Sequence, residues 1–147
     1  MSADFSPELH ELYQETILEH NRRPRNFRAV DGSRIGEGHN PMCGDRFTVY
    51  VRVEDDVLAD VGFQGTGCAI AKASASLMTE TVKGKTIAEA GALRDRLQRT
   101  LLAPPGSAVD ELGALTALAG VRQFPIRVKC AMLAWRALDA AVQLNSR

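Results

Sequence analysis

No charge of one sign dominates this chain of 147 residues: Lys and Arg number 18, Asp and Glu 18. A balanced surface has no field with which to collect nucleic acid or anionic lipid, and both classes of partner are excluded at this level. Long apolar runs are also missing, and none approaches the roughly 18 residues that a bilayer span needs. The opening MSADFSPELHELYQ lacks the basic, apolar, small-residue order of a secretory signal. The expectation is a soluble, cytoplasmic protein without a membrane partner. Neither an internal repeat nor a low-complexity tract divides the chain, which leaves one domain over 1–147, long enough to bury about two-thirds of its unfolded surface. Cysteine is scarce and odd in number, at three. That count suits no disulfide framework, and in a reducing cytosol thiols serve as metal ligands, nucleophiles or core filler.

What is present is organised by period. Ser6, Pro7 and Glu8 supply an N-cap, a first-turn proline and a first-turn acid. The helix they open carries Leu9, Leu12 or Tyr13, Thr16 and Ile17 on one face and ends near His20 and Asn21. A basic, irregular connection, NRRPRNF, follows. Residues 34–38 predict a short edge strand, weakened by Gly36 and Gly38. Phe47, Val49, Val51 and Val53 then alternate with Arg46, Thr48, Tyr50 and Arg52, and Glu54-Asp55-Asp56 makes a turn. Val57, Ala59, Val61 and Phe63 repeat the alternation, which predicts an antiparallel pair with one buried face.

Gly62, Gly65 and Gly67 mark a strand-to-helix passage, with Thr66 as the cap of an Ala- and Ser-rich helix over 67–82. Thr86 to Glu89 is a capping box opening a helix to about Leu101, which APPGS breaks. Ser107 to Asp110 starts a short helix carrying Leu112, Leu115 and Leu118, ended by Gly120. Pro125 sits in the first turn of a last helix reaching about Leu144. The class is α+β, a small antiparallel sheet of about three strands covered by helices.

Each thiol falls at a structural transition. Cys43, in NPMCGD, lies on the loop entering the hairpin, with Gly44 between it and Asp45. Cys68 lies in the first turn of the helix leaving the hairpin, and Cys130 about five residues into the last helix. Two helix starts offer N–H groups and partial positive charge, which favour thiolate over thiol. Thiolates bind zinc and iron, and with Asp45 the three make an S₃O set suited in number and softness to tetrahedral zinc. Plainer readings stand beside this one, because spacings of 25 and 62 residues are unlike a CxxC pair. Ile126, Cys130, Leu133, Ala137, Ala141 and Leu144 follow helical spacing, which fits a buried core cysteine. Cys68 fits a small residue under a tight turn. Of the histidines, His10 reads as a surface residue and His20 as a partner of its helix's C-terminal dipole. His39 is near enough to Cys43 for a nucleophilic pair, although no third, orienting group is evident.

Three segments in order, NPMCGD, GFQGTGCAIAKASASLM and RVKCAMLAW, resemble the cysteine segments of the U-type iron–sulfur cluster assembly proteins, the IscU/NifU-N-like family. ELYQETILEHNRRPRNF is similar to that family's N-terminal helix and basic turn, so the resemblance runs from about Leu9 to Leu144. Within the family the chain is similar to the SufU branch. Lys129 stands where IscU-like scaffolds carry a histidine before the third cysteine, and QFPIRVKC where they carry a Leu-Pro-Pro-Val-Lys chaperone-docking segment. Residues 101–120 resemble a SufU-type insertion.

The resemblance implies the SufU/IscU-like fold and a zinc-dependent sulfur-transfer role in iron–sulfur cluster assembly. Its implied partner is a SufS-type cysteine desulfurase, whose persulfide sulfur it accepts and whose turnover it stimulates. It would act as a persulfide acceptor with that partner rather than as a stand-alone enzyme, with Suf scaffold proteins as candidate partners downstream. The implied Zn²⁺ ligands are Cys43, Asp45, Cys68 and Cys130, with Cys43 also the sulfur acceptor. Three thiolates and a carboxylate around Zn²⁺ sum to about −2, and Arg127 and Lys129 are candidates to compensate that charge. The plainer reading of both is a solvated helix edge. The alternative function is a scaffold assembling a [2Fe–2S] cluster on the same ligands, against which the missing histidine weighs.

Overall fold

The computed structural model describes residues 7–41, 44–107 and 112–143, with backbone alone described over 7–13. Ser6, the side chains of Leu9, His10, Leu12 and Tyr13, and all of Cys43, Asp110 and Leu144 lie outside the described residues. The elements are α1 (Pro7–Arg22), β1 (Arg34–Asn40), β2 (Asp45–Glu54), β3 (Val57–Thr66), α2 (Ala69–Val82), α3 (Ile87–Leu102), a 3₁₀ segment (Gly113–Gln123) and α4 (Pro125–Gln143). The strands form one antiparallel sheet in the order β1-β2-β3, as the α+β reading expects. Phe47, Val49 and Val51 of β2 are wholly buried in the core they share with Trp135 of α4 and Met78 of α2. None of the helices, among the described residues, is long and apolar enough to cross a membrane.

β1 is a full strand, longer than the 34–38 expected, and its two glycines are the reason α4 lies so close to it. A Cβ on Gly36 would run into the carbonyl of Ala137 and the amide of Ala141. One on Gly38 would sit 2.9 Å from the carbonyl of Leu133. The residues that weaken β1 as a strand by propensity strengthen it as a seat for a helix. Gly36→Ala is therefore expected to cost about 3 kcal/mol, the upper range for overpacking. Denaturant unfolding checks it, and a stability equal to the parent's would refute the close packing.

One half of the hairpin departs from the sequence pattern. The register shifts between Arg52 and Val53: Arg52 pairs with Asp60 and Val53 with Leu58. The extra residue on β3 turns the row over. Leu58, Val61 and Phe63 are fully buried, whereas Val57 and Ala59, expected inward, are only half-buried.

The serines and threonines of α2 tie the helices together. Ser74 Oγ donates to the Ala131 carbonyl at 2.6 Å and accepts from Trp135 Nε1 at 3.3 Å, joining α2 to α4. Thr79 Oγ1 accepts from Asn26 Nδ2 at 3.0 Å, and Ser76 Oγ accepts from the Arg25 amide at 2.8 Å, holding the basic connection. Both halves of the Thr86–Glu89 capping box form. The segment after APPGS is a 3₁₀ helix that continues past Gly120 to Gln123.

His20 is buried at the end of α1, its Nδ1 2.7 Å from Ser76 Oγ. Burial and then the nearby Arg25 charge push its pKa below 6.5, against the opposing pull of Glu80 and Glu19. The native state thus refuses a proton that the unfolded chain accepts near pH 6.5. Stability should be level above about pH 6.5 and fall as pH drops below it, until the native pKa is passed. Unfolding at successive pH values for parent and His20→Gln checks this, and an identical slope in the variant would assign the effect elsewhere.

Candidate metal centre

The turn from β1 into β2 and the passage from β3 into α2 meet at one end of the sheet. Gly44 has a positive φ of 74° and donates its N–H to the Asn40 carbonyl at 2.8 Å, which starts β2 at Asp45. Asp45 is 1 % exposed, and its Oδ1 accepts the Cys68 N–H at 3.0 Å. A Cβ on Gly67 would lie 2.9 Å from the Phe47 ring and 3.1 Å from Asp45 Oδ1. A glycine there is what allows the α2 entrance to close on the carboxylate.

Cys68, not Thr66, caps α2. Its side chain accepts from the Ala71 N–H at 3.4 Å, so the helix start offers its first free amides to the sulfur. Cys130 arrives from the other side of the core on the second turn of α4 and is wholly buried. One ligand atom each from Asp45, Cys68 and Cys130 lies within 4.8 Å of the others.

Arg127, one turn before Cys130, brings a cation to this cluster. Its guanidinium pKa is raised, first by a hydrogen bond with Cys130 and then by the charges of Cys68 and Cys130. Lys129 is exposed and lines a neighbouring groove with Leu101, Met132 and Arg136. His39 is exposed on β1 opposite Arg46, and no histidine joins the cluster among the described residues. Cys43 lies outside the described residues, and with it the Cys43–His39 pair. Sequence reasoning named the cluster's members but missed two supports, the Asp45–Cys68 backbone hydrogen bond and the clearance at Gly67. Their signal was present in the G-T-G-C string, where a glycine directly precedes the thiol.

The residues fit a metal ion. Tetrahedral zinc at ligand distances of about 2.0–2.3 Å sets its donors about 3.3–3.8 Å apart, a small contraction from the spacing found. Two thiol sulfurs and a carboxylate also match the softness of zinc or iron.

Known proteins share this arrangement of chain. A zinc-dependent sulfurtransferase SufU from Bacillus subtilis is 37% identical over 138 residues, 94% of each chain. An iron–sulfur cluster assembly scaffold protein IscU from Streptococcus pyogenes is 39% identical over 94% of this chain and 87% of its own. A crystal structure named for a SUF-system iron–sulfur cluster assembly scaffold of Fervidobacterium islandicum AW-1 superposes with a TM-score of 0.81 at 34% identity, covering 90% of this chain and 98% of that one. Residues 12–145, which span Asp45, Cys68 and Cys130, match the model of the NifU-like N-terminal domain, and the chain belongs to that family.

Proposed function

We propose that the chain is a zinc-bound sulfur acceptor in iron–sulfur cluster assembly, taking persulfide sulfur from a SufS-type cysteine desulfurase. The observation that carries this reading is the convergence of Asp45, Cys68 and Cys130 within 4.8 Å, without a histidine among the described residues. Cys43, two residues before Asp45 in the sequence, completes the set as its fourth ligand in this reading, as the family resemblance implies. When bound, Zn²⁺ would keep the thiols ionised and shielded from stray oxidation. Arg127 offsets the negative charge of the set, and Lys129 adds to the positive field around α4. The Cys68 N–H fixes the Asp45 carboxylate in place.

Transfer is an exchange between sulfurs. The Cys43 thiolate attacks the outer sulfur of the desulfurase persulfide, a new S–S bond forms on Cys43, and the desulfurase cysteine leaves as thiolate. No net oxidation occurs. Cys43 is the member suited to it, since Cys130 is wholly buried in α4 and Cys68 caps α2.

The second reading is assembly of a [2Fe–2S] cluster on the same ligands, favoured by the name of the Streptococcus pyogenes relative at 39% identity. Against it stands Lys129, which leaves that position without an imidazole. Metal analysis of protein purified without added metal separates the two. One zinc per chain supports sulfur transfer, and brown, iron- and sulfide-containing protein supports the scaffold.

A further inference from the structure

Away from the thiols, α4 presents a second face, across which the end of α3 opens a groove of about 390 Å³. Val128 and Met132 of α4 and Leu101 and Leu102 of α3 give it apolar walls, and Leu102 is 67% exposed. Its charged lining is of one sign: Arg122, Lys129 and Arg136, with no carboxylate among the described lining residues. Arg122 is only 4% exposed. Its Nη2 donates to the Ser107 carbonyl at 2.6 Å, while Nη1 has no hydrogen-bond partner among the described residues. Among the described residues no carboxylate pairs with this buried guanidinium, which adds positive charge at the base of the groove.

Spacing narrows the occupant. Lys129 and Arg136 are two turns apart on α4, about 10.5 Å along the axis, with Met132 between them on the same stripe. A lone carboxylate or phosphate meets one of these cations. A helix carrying acids seven residues apart meets both, and its positions three and four residues after the first acid then face Met132 and Leu102.

We propose that this groove docks an acidic amphipathic helix of a partner protein, seated between α3 and α4 with two carboxylates against Lys129 and Arg136. The probe is an alanine-based peptide of about 14 residues, long enough to populate helix, with Glu at the two ends of a seven-residue interval and two Leu between. Titrated at low salt into the full ¹⁵N-labelled chain, it should shift the amides of Leu101, Leu102, Met132 and Arg136. Arg136→Glu and Leu102→Glu should each weaken binding by about fivefold, and added salt should weaken it further. The same peptide with Lys for Glu should leave those amides unmoved. Equal binding of the Lys peptide, shifts confined to another surface, or inorganic phosphate moving the same amides as far would each overturn the proposal.

Discussion

Stripping the metal from the purified chain is expected to lower its melting temperature by about 10 °C or more. Without a cation, Asp45 and Cys130, 1 % and 0 % exposed, keep polar or charged ligand atoms crowded within 4.8 Å of Cys68 Sγ and away from water. A ligand present at a thousand times its dissociation constant stabilises the native state by about 4 kcal/mol. For a chain of this length each kcal/mol moves the midpoint by about 2–4 °C. Because the donors come from β2, the N-cap of α2 and α4, a bound metal would also tie the sheet to both helices, and its binding energy would be folding energy. Cys130→Ala should lose the metal outright and melt no higher than the stripped parent. Calorimetry with and without a strong chelator, alongside elemental analysis, provides the check. A stripped protein melting with the parent, or Cys130→Ala retaining one metal per chain, would remove the shared site.

The second large effect concerns Cys43. Incubated with a cysteine desulfurase, pyridoxal phosphate and free cysteine, the chain should carry added sulfur on Cys43 before any other thiol. Persulfide transfer needs the acceptor sulfur to approach the donor S–S bond in line. Cys130 has no exposed surface and Cys68 Sγ is engaged by the Ala71 N–H. Displacing either disturbs α4 or the start of α2. Pro41 and Gly44, which flank Met42 and Cys43 in the sequence, are both exposed. Cys43→Ser should take up sulfur only at background level and fail to stimulate desulfurase turnover, and should retain zinc if water or the hydroxyl fills the vacated position. Peptide mass spectrometry before reduction reads the site directly. Sulfur found on Cys68 or Cys130 with Cys43 unmodified would refute the assignment.

Much of this architecture is written locally. The alternation of Phe47, Val49 and Val51 put β2 on the core face, and the Thr86–Glu89 pair marked the start of α3, because side-chain period and capping depend on neighbours a few residues away. Alternation alone turns Ala59 inward, because a bulge is a relation between two strands that one strand's sequence does not show. Nothing in Val57 to Phe63 taken alone says that Leu58, rather than Ala59, faces inward. Gly36 and Gly38 look like weakness in the sequence for the same reason: the helix that needs them lies about a hundred residues further along the chain.

By itself, then, the sequence determined the family resemblance, the α+β class and the identity of the thiols and carboxylate, since motif and period are properties of short segments. The tertiary structure alone decided that Asp45, Cys68 and Cys130 converge, that Arg127 turns toward the thiols, and that Lys129 lines a groove between α3 and α4. Spacings of 23 and 62 residues carry no distance of their own. They become contacts within 4.8 Å only when the sheet closes on α2 and the glycines of β1 let α4 come down beside it.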